Sequence, residues 1–128
     1  MIELRGRAIF RGQARGRALV SPSPIGFLGG VDPHTGMVIE PGHPLEGQCI
    51  SGRVLVFPTG KGSTVGSYTL YRLARQGRGP VAIVNQRSEA IVAIGAIMAE
   101  IPMVDGIDVS QIATDDPIVI DGESIIIG

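Results

Sequence analysis

The sequence predicts an α/β fold in which β-rich ends flank a βαβαβ core. Three observations carry that prediction. Apolar and polar residues alternate at both ends of the chain, the runs RVLVFP and PVAIVN are continuously apolar, and each run is followed by a segment of helical spacing. Alternation marks strands with one wet face, whereas an unbroken apolar run marks a strand covered on both faces. At 128 residues the chain is read as a single domain over 1–128.

From Met1 to Val20 the segments IELRGRAIF and ARGRALV read as two half-exposed strands. SPSPIGFLGGVDPHTG, from Ser21 to Gly36, is too rich in Pro and Gly for a helix or a central strand. It is a long shaped loop, and Phe27, Leu28 and Val31 argue that it packs. Met37 to Glu40 reads as a short strand, and EPGHPLEG as a second turn-rich passage. RVLVFP is then a buried strand, TGKGST a glycine loop, and VGSYTLYRLARQG a helix with Val65, Tyr68, Leu70 or Tyr71, Leu73 and Ala74 on its apolar side and Gly77 as its stop. After the strand PVAIVN, SEAIVAIGAIMAEI reads as a helix buried against the sheet, with Ser88 as N-cap, Glu89 in its first turn and Pro102 ending it. IPMVDGI is a third short strand, and PIVIDGESIIIG a β-hairpin turning at Asp121-Gly122.

Composition excludes several classes. With one cysteine, Cys49, no intrachain disulfide forms and the chain cannot itself supply the thiolates of an iron–sulfur cluster; Cys49 is read as a small core residue. No apolar stretch is long enough to span a membrane and the opening MIELRGRAIF lacks a secretory pattern, so a cytoplasmic protein is expected. Net charge is −1, yet Arg5, Arg7, Arg11, Arg15 and Arg17 crowd the first strands while no basic residue follows Arg87. With no Trp, two Tyr and no basic balance, a nucleic-acid arm is disfavoured against arginine-edged strands facing solvent or a partner subunit. His34 and His43 sit among turn residues without metal-ligand spacing, and no metal is assigned to the chain.

The residues that can carry chemistry are Thr59-Gly60-Lys61-Gly62-Ser63-Thr64, between a buried strand and a helix start. Free N–H groups at such a turn, added to the positive end of the helix, make an anion site. Lys61, the only lysine, supplies a point charge for phosphate or carboxylate. A nucleotide-hydrolysing P-loop is disfavoured, because Lys61 is followed by Gly62 and Leu55 stands where its first glycine belongs. A purely structural reading, in which the glycines turn the chain and Ser63 or Thr64 caps the helix, stays open on this pattern. As a base, Ser63 needs donors that stabilise its alkoxide; no Gly-x-Ser-x-Gly elbow surrounds it and both histidines lie in separate loops, which disfavours a self-contained hydrolase.

Three features in order (the GGVDPHTG loop, the His43-Pro44-Leu45 and Gly47 that follow, and the PTGKGSTVGS loop), with the later EAIVAIGAIMAEIPMVDGID, resemble the small swivel-domain subunit of the aconitase X type, as in archaeal phosphomevalonate dehydratases. The resemblance covers most of the chain; where the family often has Gly-Ser-Ser this sequence has Gly62-Ser63-Thr64. It implies a β/β/α swivelling domain that closes over an active site on a large catalytic subunit carrying an iron–sulfur cluster, in a heterodimer or higher assembly. It also implies dehydration of (R)-5-phosphomevalonate to trans-anhydromevalonate 5-phosphate, with Ser63 as proton acceptor. Lys61, Gly62 and Thr64 are then the candidate substrate contacts. Other readings are a dehydratase of the same type for another hydroxy acid such as hydroxyproline, and an anion-binding module without chemistry. A phosphohistidine swivel domain is disfavoured because Pro33 precedes His34 and Thr35-Gly36 leads into a strand.

Overall fold

A computed structural model describes residues 1–62 and 64–128. The strands are β1 (Ile2–Arg5), β2 (Arg7–Phe10), β3 (Gln13–Val20), β4 (Val54–Phe57), β5 (Ala82–Asn85), β6 (Met103–Asp105), β7 (Pro117–Asp121) and β8 (Ser124–Ile127), with helices α1 (Val65–Arg75) and α2 (Ala90–Ala99) after β4 and β5. They form an eight-stranded mixed sheet of order β1-β8-β7-β3-β4-β5-β6-β2. Strands β3 to β6 run parallel, β2 closes their far side antiparallel to β6, and β7, β8 and β1 continue antiparallel from the other side of β3.

The opening segment is two strands, not the one expected. β1 and β2 lie at opposite ends of the strand order, yet only Gly6 separates them. One residue spans at most about 3.6 Å, against about 4.8 Å for each strand-to-strand step, so the sheet must curl until its edges meet. Long β3 makes the opposite corner: Gln13–Arg17 pair with β7, and Ala18–Val20 with β4. The result is a barrel-like pair of β layers with both helices outside one of them.

Two cores follow from strand alternation. Val54, Val56, Ala82, Val84 and Val104 point between the β layers, where they meet Ile118, Ile120, Ile125 and Ile127. Leu55, Phe57, Ile83 and Met103 point the other way and meet Leu70, Leu73, Val92 and Ala96 of the helices. The uninterrupted apolar runs of β4 and β5 therefore report two covered faces. The segment 21–53 packs onto the helix-side core through Ile25, Phe27, Val31, Val38, Leu45 and Ile50, whereas Leu28 is exposed. Met37–Glu40 is no strand: Val31 bridges Val38 and Met37 bridges Cys49 as isolated pairs.

The helices depart from expectation in their faces. α1 buries Gly66, Ser67, Thr69, Leu70 and Leu73, leaving Val65 and Tyr68 exposed. Small residues win that face because α2 lies close: a Cβ on Gly95 would stand 3.1 Å from Leu70 Cδ2 and from Ser67 Cα, and Ser67 Oγ donates to Ile91 O at 2.6 Å. α2 is capped by Glu89 rather than Ser88, and it is buried on one side only, with Ile94, Ile97 and Met98 exposed. Gly77, at φ +70°, follows the α1 C-cap as expected. The β7–β8 turn sits one residue later than read, at Gly122-Glu123 between paired Asp121 and Ser124; positive φ at its first central residue is the glycine position of a type II′ turn. Cys49 is exposed, within 3.2 Å of Ser51 Oγ, and not a core residue.

Candidate functional site

The four parallel strands end on one edge, where the segments beginning at Ser21, Pro58, Gln86 and Gly106 gather. That edge is where open α/β sheets place their ligands. The β4–α1 loop is clamped there from two sides. Ile25 N donates to Thr59 O at 3.3 Å and Lys61 N to Ile25 O at 3.0 Å, and a Cβ on Gly26 would come within 2.7 Å of Lys61 O. From the helix side, a Cβ on Gly60 would lie 2.5 Å from Val92 Cγ2 and 2.8 Å from Glu89 Oε1. Gly62, at φ +113°, adopts a backbone that side chains disfavour. Buried Asn85, at the end of β5, donates through Nδ2 to Phe57 O at 3.0 Å and so fixes where the loop leaves β4.

Lys61, Gly62 and Thr64 are exposed on this loop; Ser63 lies outside the described residues. Lys61 Nζ stands 2.9 Å from Glu40 Oε2, so the loop's cation is paired with an acid from the preceding segment. Thr64 occupies the α1 N-cap with helical φ and makes no side-chain capping bond, which sets aside the capping role considered for it, and the first turn has no acid. The two helix starts thus differ electrostatically. At α2 the Glu89 carboxylate already accepts from Ile91 N (2.8 Å) and Val92 N (3.2 Å), while the start of α1 brings its positive end to the glycine loop without such an acid.

At the far end of the edge lies a pair that sequence reasoning missed. Asp105, 5% exposed, closes β6 opposite Arg7 of β2. Arg7 donates to it from Nε at 3.1 Å and Nη2 at 2.9 Å, and Ser88 N donates at 3.2 Å. Burial pushes the Asp105 carboxyl up, but hydrogen bonds from Arg7 and Ser88, with the Arg7 charge, outweigh it and hold the group below its ordinary value. Nothing local announces this pair, since its members pair across the sheet. Glu89 did carry a signal, standing immediately before an apolar decapeptide as an N-cap acid does.

His43 is buried with both ring nitrogens used: Nδ1 accepts from Leu45 N at 3.0 Å and Nε2 lies 3.0 Å from Pro24 O, which fixes an Nε2–H tautomer. It is a loop staple, and exposed His34 lies apart from it. Among the described residues no group of three or more His, Cys, Asp or Glu could hold a metal ion. With its single exposed cysteine, this chain does not fit an iron–sulfur cluster of its own. No helix among the described residues is long and apolar enough to cross a membrane.

Comparison with known proteins agrees with this architecture. Residues 3–128 match the family model of the aconitase X swivel domain. The phosphomevalonate dehydratase small subunit of Pyrococcus furiosus is 51% identical over 122 residues, 95% of this chain and 91% of that protein. That of Methanosarcina acetivorans is 58% identical over 109 residues, 85% of this chain and 76% of that protein. The crystal structure of Thermococcus kodakaraensis aconitase X in its holo form superimposes with a TM-score of 0.98 at 47% identity, covering 100% of this chain and 99% of that one. The layered fold, the glycine loop at the strand edge and these matches together establish that the chain belongs to the aconitase X swivel-domain family.

Proposed function

We propose that this chain is the small subunit of a cytoplasmic hydro-lyase that dehydrates (R)-5-phosphomevalonate to trans-anhydromevalonate 5-phosphate and is active only with a large subunit. The reaction removes a proton from C2 and the hydroxyl from C3, leaving a C2–C3 double bond and water. The iron–sulfur cluster expected of this enzyme type belongs to the large subunit, because this chain lacks ligands for it. Ser63 accepts the C2 proton. A proton beside a carboxylate is weakly acidic, so the serine oxygen must be held as alkoxide by preorganised donors. The N–H groups of Gly62, Ser63 and Thr64, the residues that lead into α1, are the donors. Lys61 meets substrate anion charge once that charge displaces Glu40.

The observation that carries this reading is the start of α1, with no acid in its first turn, behind a glycine loop at the C-terminal strand edge, in a chain about half identical to phosphomevalonate dehydratase small subunits. The test is anaerobic co-expression with the large subunit and assay of dehydration. Ser63→Ala is expected to lower turnover at least 100-fold, on the scale of general acid–base catalysis, with assembly retained. Near wild-type turnover in an intact complex overturns the proton-acceptor role. Offering hydroxyproline to the same complex decides between this substrate and the other hydroxy acid.

A further inference from the structure

We propose that Arg7 binds an anionic group of the substrate in the assembled enzyme, its guanidinium held in place by the buried carboxylate of Asp105; this rests on the dehydratase reading above. Arg7 opens β2, and its register opposite Asp105 puts it at the edge where the parallel strands end. The two-point contact fixes the plane of the guanidinium. The exposures are unequal: Asp105 lies within the fold while the Arg7 side chain is 72% exposed. A strap between β2 and β6 needs no buried acid, and burying one is costly unless it is fully bonded. What the burial achieves is an oriented guanidinium at the surface, with Nη1 unpaired among the described residues. Asp105 offsets part of the charge but leaves directed donors, which suit carboxylate and phosphate oxygens.

The position joins Arg7 to the candidate site. Its Nη2 lies 3.4 Å from Ser88 Oγ, and the next residue, Glu89, has its carboxylate against Gly60 of the glycine loop. Arg87 adds a second basic residue to this edge, its N–H donating to Pro58 O at 3.0 Å. Three more arginines of the first 17 residues are engaged elsewhere: Arg5 and Arg11 reach Glu123 at the β7–β8 turn, and Arg17 donates to Asp115 O.

The test uses the reconstituted two-subunit enzyme and phosphomevalonate. Arg7→Gln is expected to raise KM about 10- to 100-fold, the worth of one or two hydrogen bonds to a charged group, with kcat within a few-fold and the complex intact by size exclusion. Arg7→Lys, which keeps the charge and loses the fork, falls between Arg7→Gln and wild type, and Arg15→Gln leaves KM unchanged. Unchanged KM in Arg7→Gln overturns the proposal, and so does lowered thermal stability with normal kinetics, which assigns the pair to the fold. A variant that no longer assembles overturns it in favour of a subunit contact. A wild-type complex that does not dehydrate phosphomevalonate is a separate result, which removes the dehydratase reading and this proposal with it.

Discussion

Asp105 shows how one residue's surroundings set its behaviour. Its folded pKa lies below the unfolded value because Arg7 and Ser88 hydrogen-bond to the ionised form. A carboxylate shifted down contributes stability above its unfolded pKa of about 3.9 and loses that contribution as pH falls through the folded value. Comparison with Asp105→Asn isolates this group from the other acids. The stability gap between wild type and variant is expected to stay constant from about pH 7 to 5 and to narrow below about pH 4. Urea midpoints followed by circular dichroism across that range measure it. A gap that does not change in acid means the carboxylate is not held ionised.

Among the elements, the junction of β1 and β2 tolerates least. Gly6 N donates to Glu123 O at 3.0 Å, and a Cβ at Gly6 would overlap Asp105 O, a backbone atom fixed by strand pairing. Gly6→Ala is expected to cost about 3 kcal/mol, at the upper end for overpacking, because no side chain can swing away. Thermal unfolding checks this, with Gly128→Ala, which meets nothing, as the neutral comparison. The turn at this glycine is also invisible in the local sequence pattern. IELRGRAIF alternates across the break, so nothing in its pattern announces that Gly6 turns the chain between opposite ends of the sheet. Core strands and helix positions were legible because β4, β5 and the helices state their burial in local apolar pattern. Helix faces were less so: Val65 and Tyr68 are apolar yet exposed, since the close approach of Gly95 selects Gly66 and Ser67 for the packed side. At the site, the glycine loop was legible from its residue types. Glu40 and Asp105 were not, because each meets its cation only after the chain has folded back.

At the scale of the whole molecule, the two chain ends complete one another, and their contributions are unequal. β1 pairs with β8, Ile2 opposite Ile127, but only Leu4 of β1 packs against the barrel core. β8 places Ile125 and Ile127 inside that core and carries both β1 and β7 as neighbours. Burying each isoleucine is worth roughly 1.5–3 kcal/mol, and losing β8 also leaves β7 without its outer partner and β1 without any. Against a total stability on the order of 5–15 kcal/mol, removal of 122–128 is expected to leave the chain largely unfolded. Removal of 1–5 forfeits one half-buried leucine and an edge pairing, a loss of about 2 kcal/mol that the remaining barrel survives. Circular dichroism and urea titration of the two truncations decide the matter. Equal damage from both would mean that closure of the curled sheet at Gly6, rather than filling of the core between the β layers, dominates the stability of this domain.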